Sequence, residues 1–217
     1  MAQLVELAPP HGVVLDDGCG TGAFLEFARR RAANVERYVG VDVSRAMLAH
    51  AQRRLNLAGD DHLLVQGDAC RLPFAENSFD VVYARALLHH LPDPASGVRE
   101  IQRVLKPGGV AVVLDPNRTL ISTLPRYLAR RTEHFDEDHK NFDVGELERL
   151  IESALTLDQT RFFGYLAYPL LGFPDLIDFD KLGISRLADG LIQLDRAFAR
   201  VPLLRRLGWG LIMSARK

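Results

Sequence analysis

A surplus of basic charge is missing from this chain: across 217 residues, 27 lysines and arginines face 28 aspartates and glutamates, a formal net charge of −1. No overall positive field draws it to a polyanion, so nucleic acid is not expected as a partner. Cysteine is scarce too. The two present, Cys19 and Cys70, have no metal-ligand or redox spacing, which suits a reducing compartment. No apolar run approaches the ~18 residues of a membrane span. The opening stretch MAQLVELAPPHG lacks the layout of a signal peptide. Internal repeats and low-complexity tracts are absent as well. The expectation is a soluble, cytoplasmic protein. Hydrophobic residues make up 47% and charged residues 25%, ordinary proportions for a chain that builds one full core. Arginines cluster locally at Arg29, Arg30 and Arg31, at Arg126, Arg130 and Arg131, and at Arg196, Arg200, Arg205 and Arg206. Solvated helix faces are the plain reading of these clusters.

What is present is a rhythm. Short apolar runs at Val13–Leu15, Tyr38–Val43, His62–Gln66, Phe79–Ala84 and Val110–Leu114 read as strands. Helical periodicity separates them at Ala23–Arg31, Arg45–Leu57 and Ala95–Leu105, the last closed by Pro107-Gly108-Gly109. Further on, Arg118–Arg131 and Gly145–Ala154 read as helices, Leu157–Phe163 as a sixth strand and Gly208–Ser214 as a final one. Such alternation implies an α/β domain with a mostly parallel sheet, right-handed crossovers and helices on both faces. Ligands of such sheets sit outside the carboxyl ends of the strands. The whole of 1–217 is expected to be one domain, with 116–144 as a substrate-side segment and 164–207 as a helical lid inserted between strands 6 and 7.

The stretch VVLDDGCGTGAF, Val13 to Phe24, joins the first strand to the first helix. Its glycines permit a tight turn and let a ligand approach bare backbone near a helix N-terminus. Two parses fit. Gly18-x-Gly20-x-x-Ala23 satisfies the dinucleotide fingerprint, and Asp16-x-Gly18-x-Gly20-x-Gly22 is the signature of S-adenosylmethionine (SAM) binding. Asp42, ending strand 2, suits either parse as an acceptor for ribose hydroxyls, because Ser44 is the better cap for the next helix.

Downstream blocks discriminate. VQGDACRLPF puts Asp68 just past strand 3, and SFDVVYARALLHHLPDP and REIQRVLKPGG follow in order. From Val13 to Leu114 the chain resembles the class I SAM-dependent methyltransferases, specifically the type 11 group that includes quinone-biosynthesis enzymes. That resemblance implies a Rossmann-like seven-stranded sheet whose last strand runs antiparallel between strands 5 and 6. It implies SAM as cofactor, with Asp16, Gly18 and Gly20 bordering its methionine part and Asp42 on the ribose. Val43 and Met47 would lie against the adenine, Asp68 and the Ala69 backbone at its edge, and Ala84-Arg85 close to the methionine moiety. An NAD(P)-dependent reductase is the alternative, but no Tyr/Lys or His/Asp hydride-transfer set is recognisable. A non-catalytic SAM-binding module also stays open.

Two departures from the family pattern stand out. Asp17 replaces the usual leucine or isoleucine, and such a carboxylate is expected to reach water, a hydrogen bond or an arginine. Only twelve residues precede strand 1, where relatives carry a covering helix or two. For catalysis, methyl transfer from a sulfonium mainly requires alignment at ~3–3.5 Å and exclusion of water. A base is needed only when the acceptor must lose a proton. His89 and His90 follow strand 4 and Asp115 ends strand 5, so the three are the catalytic candidates. The loop holding His134, Asp136, Asp138 and His139 has no converging spacing, and no metal is expected. The lid region is rich in Phe162, Phe163, Tyr165, Tyr168, Leu170, Leu171 and Phe173, and its later helix carries a stripe of Ile184, Leu187, Leu191, Leu194, Phe198 and Val201. The stripe reads either as packing on the domain or as an apolar channel or peripheral membrane contact for a lipid-like acceptor. The expected acceptor is a small molecule, methylated on oxygen or carbon.

Overall fold

Seven strands and six α-helices are described in the computed structural model, which covers residues 1–31, 34–56, 62–119, 141–165, 185–201, 204 and 206–217. In chain order they are α1 (Ala2–Leu7), β1 (His11–Asp17), α2 (Ala23–Arg29), β2 (Asn34–Asp42), α3 (Arg45–Asn56), β3 (His62–Gln66) and β4 (Phe79–Arg85). After a 3₁₀ turn at Leu88–His90 come α4 (Pro94–Val104), β5 (Leu105–Pro116), α5 (Val144–Glu152), β6 (Thr156–Phe163), α6 (Ser185–Arg200) and β7 (Gly210–Arg216). The sheet order is β3-β2-β1-β4-β5-β7-β6. Strands β1 to β5 pair in parallel, and β7 lies antiparallel between β5 and β6, as the resemblance implied. The order reverses between β1 and β4, the switch point where such sheets open for ligands.

Alternation along β1 sorts the core into two layers. Leu15 joins Val82, Leu88, Val98 and Ile101 on the face covered by α4 and α5. Val14 joins Leu4, Phe24, Ala28 and Tyr83 on the face covered by α1 and α2. Phe24 meets Tyr83 edge to face at 4.7 Å between ring centroids. The Tyr83 hydroxyl in turn donates to the Ala8 carbonyl, tying the segment after α1 to the middle of the sheet.

The structure differs from the sequence expectation in three instructive places. Helix α1 precedes β1, where no helix was read from the sequence; Leu4 is its single buried residue, so no apolar periodicity announced it. Strand β5 begins at Leu105, because Leu105 pairs with Phe79 across a register shift and the Pro-Gly-Gly bend is absorbed with Gly108 at φ +78°. Helix α4 therefore ends one residue early and starts at Pro94, where Asp93 caps the backbone N–H groups of Ala95 and Ser96 at 3.1 and 3.3 Å. Most of the expected Arg118–Arg131 helix, the His134–His139 loop and the first half of the expected lid lie outside the described residues. Of the lid stripe, Phe198 contacts the Tyr165 ring at 6.0 Å, whereas Leu194 and Val201 stay exposed at 48% and 41%.

Gly22 shows why the third glycine of the motif is obligatory. It caps α2 at φ +74°, and a Cβ there would sit 3.0 Å from the Ala51 Cβ and 3.2 Å from its Cα on α3. Left-handed strain of ~1–2 kcal/mol adds to that backbone clash. Gly22→Ala is expected to lower the melting temperature by about 4–8 °C, measurable by thermal circular dichroism.

Candidate active site

The carboxyl ends of β1, β2, β4 and β5 bring together nearly every residue singled out from the sequence. Gly18 and Gly20 both adopt positive φ, +71° and +53°, turning the chain out of β1. A Cβ on Gly18 would press within 2.9 Å of Leu87, whereas one on Gly20 would meet nothing within 4 Å. Gly20 thus borders open space, a cradle floored by bare backbone. Asp42 holds this loop from the side. One carboxylate oxygen accepts from the Gly20 N–H and the other from the Ser44 N–H, each at 2.8 Å. Ser44 itself caps α3, its hydroxyl accepting from the Met47 N–H at 3.3 Å. The side chains of Val43 and Met47 are exposed at 71% and 43%, apolar groups left uncovered beside the cradle. Gln66 fixes that rim by donating to the Val43 carbonyl at 3.0 Å while accepting from the Arg45 guanidinium at 2.8 Å. Past β3, Asp68 accepts from the Cys70 N–H at 2.8 Å, and Ala69 is buried beside it.

The two acidic residues at the end of β1 diverge. Both are fully buried and none of their four oxygens has a hydrogen-bond partner. Asp16 lies 3.6 Å from the Arg85 Nε, and that guanidinium rests 4.6 Å above the Phe24 ring. Burial pushes the Asp16 carboxyl up to about 6, with Arg85 opposing and Asp42 adding. Burial pushes Asp17 up to about 8, helped by repulsion from Asp16, Asp42, Asp68 and Glu100. The expectation that Asp17 reaches water, a hydrogen bond or an arginine is therefore overturned. β1 is paired on both sides, with Asp17 against Val41 and Ala84, so its side chain has nowhere to go but the layer under α4.

The histidines separate too. His89 is buried with its Nδ1 2.5 Å from Asp115 Oδ1, and its backbone N–H points to the same oxygen at 3.4 Å. Burial holds the Asp115 carboxyl above the ordinary range, against the pull of His89. His90 is exposed and does not join this pair; its ring lies 4.0 Å from the His89 ring. One residue of offset on a 3₁₀ turn decides which imidazole meets β5.

Two features had no sequence signal or a faint one. Ala86 takes φ +50°, unusual for a residue with a Cβ, and its N–H bonds to the Leu114 carbonyl at 2.6 Å. Asn117, buried just past β5, donates its amide to the Arg206 and Gly208 carbonyls at 3.1 and 2.8 Å, stitching the end of β5 to the approach to β7. At this same end of the sheet a cavity of about 610 Å³ opens between α4 and α5, lined in equal parts by apolar Pro94, Ala95, Phe142 and Leu150 and by polar Asp93, Arg118, Asn141 and Glu146. Among the described residues, no group of three metal-ligating side chains converges, and no helix is long and apolar enough to cross a membrane.

The cradle fits SAM on its own chemistry. Gly20 leaves the space, Asp42 offers an acceptor, Val43 and Met47 offer apolar faces, and buried carboxylates lie beneath. Comparison with known proteins agrees. The family profile described as "Methyltransferase domain" matches residues 15–113. A demethylmenaquinone methyltransferase of Desulfitobacterium hafniense is 41% identical over 117 residues, 52% of this chain and 45% of the relative. The chain thus spans about half the length of the first curated relatives it matches, from 44% to 52% for four of them. Methyltransferase GfsG of Streptomyces halstedii is 32% identical over 220 residues, covering 94% of this chain and 73% of the relative. In fold, phosphoethanolamine N-methyltransferase 2 of Haemonchus contortus, solved with SAM, superposes with a TM-score of 0.70 at 24% identity, over all of this chain and 51% of that one. The chain belongs to the class I SAM-dependent methyltransferases, in the type 11 group.

Proposed function

We propose that this chain methylates a small, largely apolar acceptor that must lose a proton from a hydroxyl, such as a hydroxylated quinol ring, on oxygen or on ring carbon. The His89–Asp115 pair carries this reading. Asp115, bonded to Nδ1, fixes the orientation of the imidazole, which is the base proposed here. Removing a hydroxyl proton activates the oxygen directly, or the adjacent ring carbon by delocalisation, so one base serves either outcome. SAM supplies the methyl group as an already activated sulfonium; the protein's part is to hold the donor, exclude water and accept the proton. The cavity between α4 and α5 has apolar walls suited to a ring or short tail. The demethylmenaquinone methyltransferases among the relatives favour a quinol-type acceptor.

The test supplies SAM and a short-chain naphthohydroquinone and follows methylated product by mass spectrometry. His89→Gln is expected to lower kcat by about 10²–10⁴-fold, with SAM affinity unchanged. Asp115→Asn is expected to reduce kcat in the same way. Wild-type turnover in His89→Gln removes the base.

A further inference from the structure

The residue that follows β4 holds a backbone conformation foreign to its side chain. Ala86 stands at φ +50°, and among the described non-glycine residues only Asn77, in the turn before β4, shares a positive φ. Asparagine visits that region routinely; alanine does not. An outlier of this kind persists only where its surroundings over-determine it. Here an anchor lies on each side. The Ala86 N–H continues the β4–β5 ladder one bond beyond Arg85, reaching the Leu114 carbonyl at 2.6 Å. Two residues on, Leu88 is fully buried in the core and starts the 3₁₀ turn. The Ala86 side chain itself is exposed, so its own packing does not select the bend.

Both halves of the site follow from that bend. Leu87 lies against the cradle, where a Cβ on Gly18 would fall 2.9 Å from its Cδ1. The His90 N–H closes the turn on the Leu87 carbonyl at 2.9 Å. Within the turn, His89 meets Asp115 through its backbone N–H and through Nδ1. An extended residue at 86 would instead run the chain on along β5, with no turn to bring an imidazole back to Asp115.

We propose that Ala86 is a positioning residue: its left-handed bend sets Leu87 against the donor cradle and His89 against Asp115 as one unit. One backbone angle thereby fixes the spacing between methyl donor and base. This rests on His89 being the base of the proposed reaction. Spacing matters there, because a misplacement of about 1 Å can cost on the order of 10²-fold in rate.

The bend carries the role, so tolerance of the left-handed region ranks the variants. Ala86→Gly and Ala86→Asn fit it readily, whereas Ala86→Val and Ala86→Thr, branched at Cβ, do not. With SAM and a short-chain naphthohydroquinone, the first pair is expected to keep kcat within about threefold of wild type. The branched pair is expected to lose about 10–100-fold in kcat, with KM for the acceptor little changed. Proton NMR gives a second reading that needs no acceptor. The low-field imidazole proton between His89 and Asp115, assigned by its loss in His89→Gln, persists in the first pair and is shifted or lost in the branched pair. Circular dichroism reports folding, and Ala86→Thr suits the exposed position should Ala86→Val prove insoluble. Equal kcat in all four folded variants, or equal losses in all four, overturns the proposal. So does a low-field resonance that is absent from wild type or unmoved in the branched pair. Unfolding of both branched variants assigns the bend to the fold and also overturns it. A wild-type protein that shows the resonance and its ranking but no turnover overturns the base reading alone.

Discussion

Asp42→Ala is expected to lower SAM affinity about 100-fold and to leave the melting curve cooperative. The side chain does two jobs at once. Its oxygens hold the Gly20 and Ser44 N–H groups, so it sets the cradle's shape, and it is the acceptor expected to take the ribose hydroxyls. A hydrogen bond from a ribose hydroxyl to a charged acceptor contributes ~1.5–3 kcal/mol, and losing it together with the loop's shape amounts to a factor on the order of 10². Asp42→Asn should fall between, since its amide oxygen can keep one backbone donor and its NH₂ cannot accept. Isothermal titration decides the matter: a loss below threefold for the alanine variant shows that the carboxylate does not hold the ribose.

Asp17→Leu is expected to stabilise the protein, and by an amount that grows with pH. In the unfolded chain this carboxyl loses its proton near pH 4, whereas in the folded protein burial and like charges keep it to about 8. Stability associated with the neutral form is thus fully present below about pH 4 and is lost progressively as pH rises through 8. Removing the group abolishes that loss. The gain is on the order of 3 kcal/mol at pH 8, shrinking to under about 1 kcal/mol at pH 4, after allowing ~1 kcal/mol for fitting a bulkier side chain. Melting temperatures of wild type and variant across that range should converge at the acid end; parallel curves refute the assignment.

The glycine motif and the places of Asp42, Asp68 and Asp115 were legible in the sequence because each has a local cause, whereas the antiparallel place of the last strand came only from the family resemblance. A strand that must turn sharply needs glycines, and a carboxylate at a strand end faces the open crevice. Asp17 was not legible. Its burial follows from pairing with Val41 and Ala84 on both sides, a property of strands far away in sequence. His89 and His90 looked equivalent for a similar reason: only the three-dimensional approach of β5 distinguishes them. The Pro-Gly-Gly bend read as a break because local propensity favours one there, yet pairing with β4 carried the strand through it. Helix α1 left no trace because six residues with one buried position carry no period.

The antiparallel placement of β7 has a consequence for how the molecule is made. Gly210–Arg216 pairs along its whole length with both β5 and β6, which otherwise do not neighbour each other. On the ribosome the outer edge of β5 emerges long before the strand that seals it, and β6 emerges with no place in the sheet. During that interval β5 presents apolar Val110, Val112 and Val113 beside unsatisfied backbone groups, the kind of edge that recruits stray strands. Closure of this side of the sheet therefore waits on Gly210–Arg216, the last strand to be made.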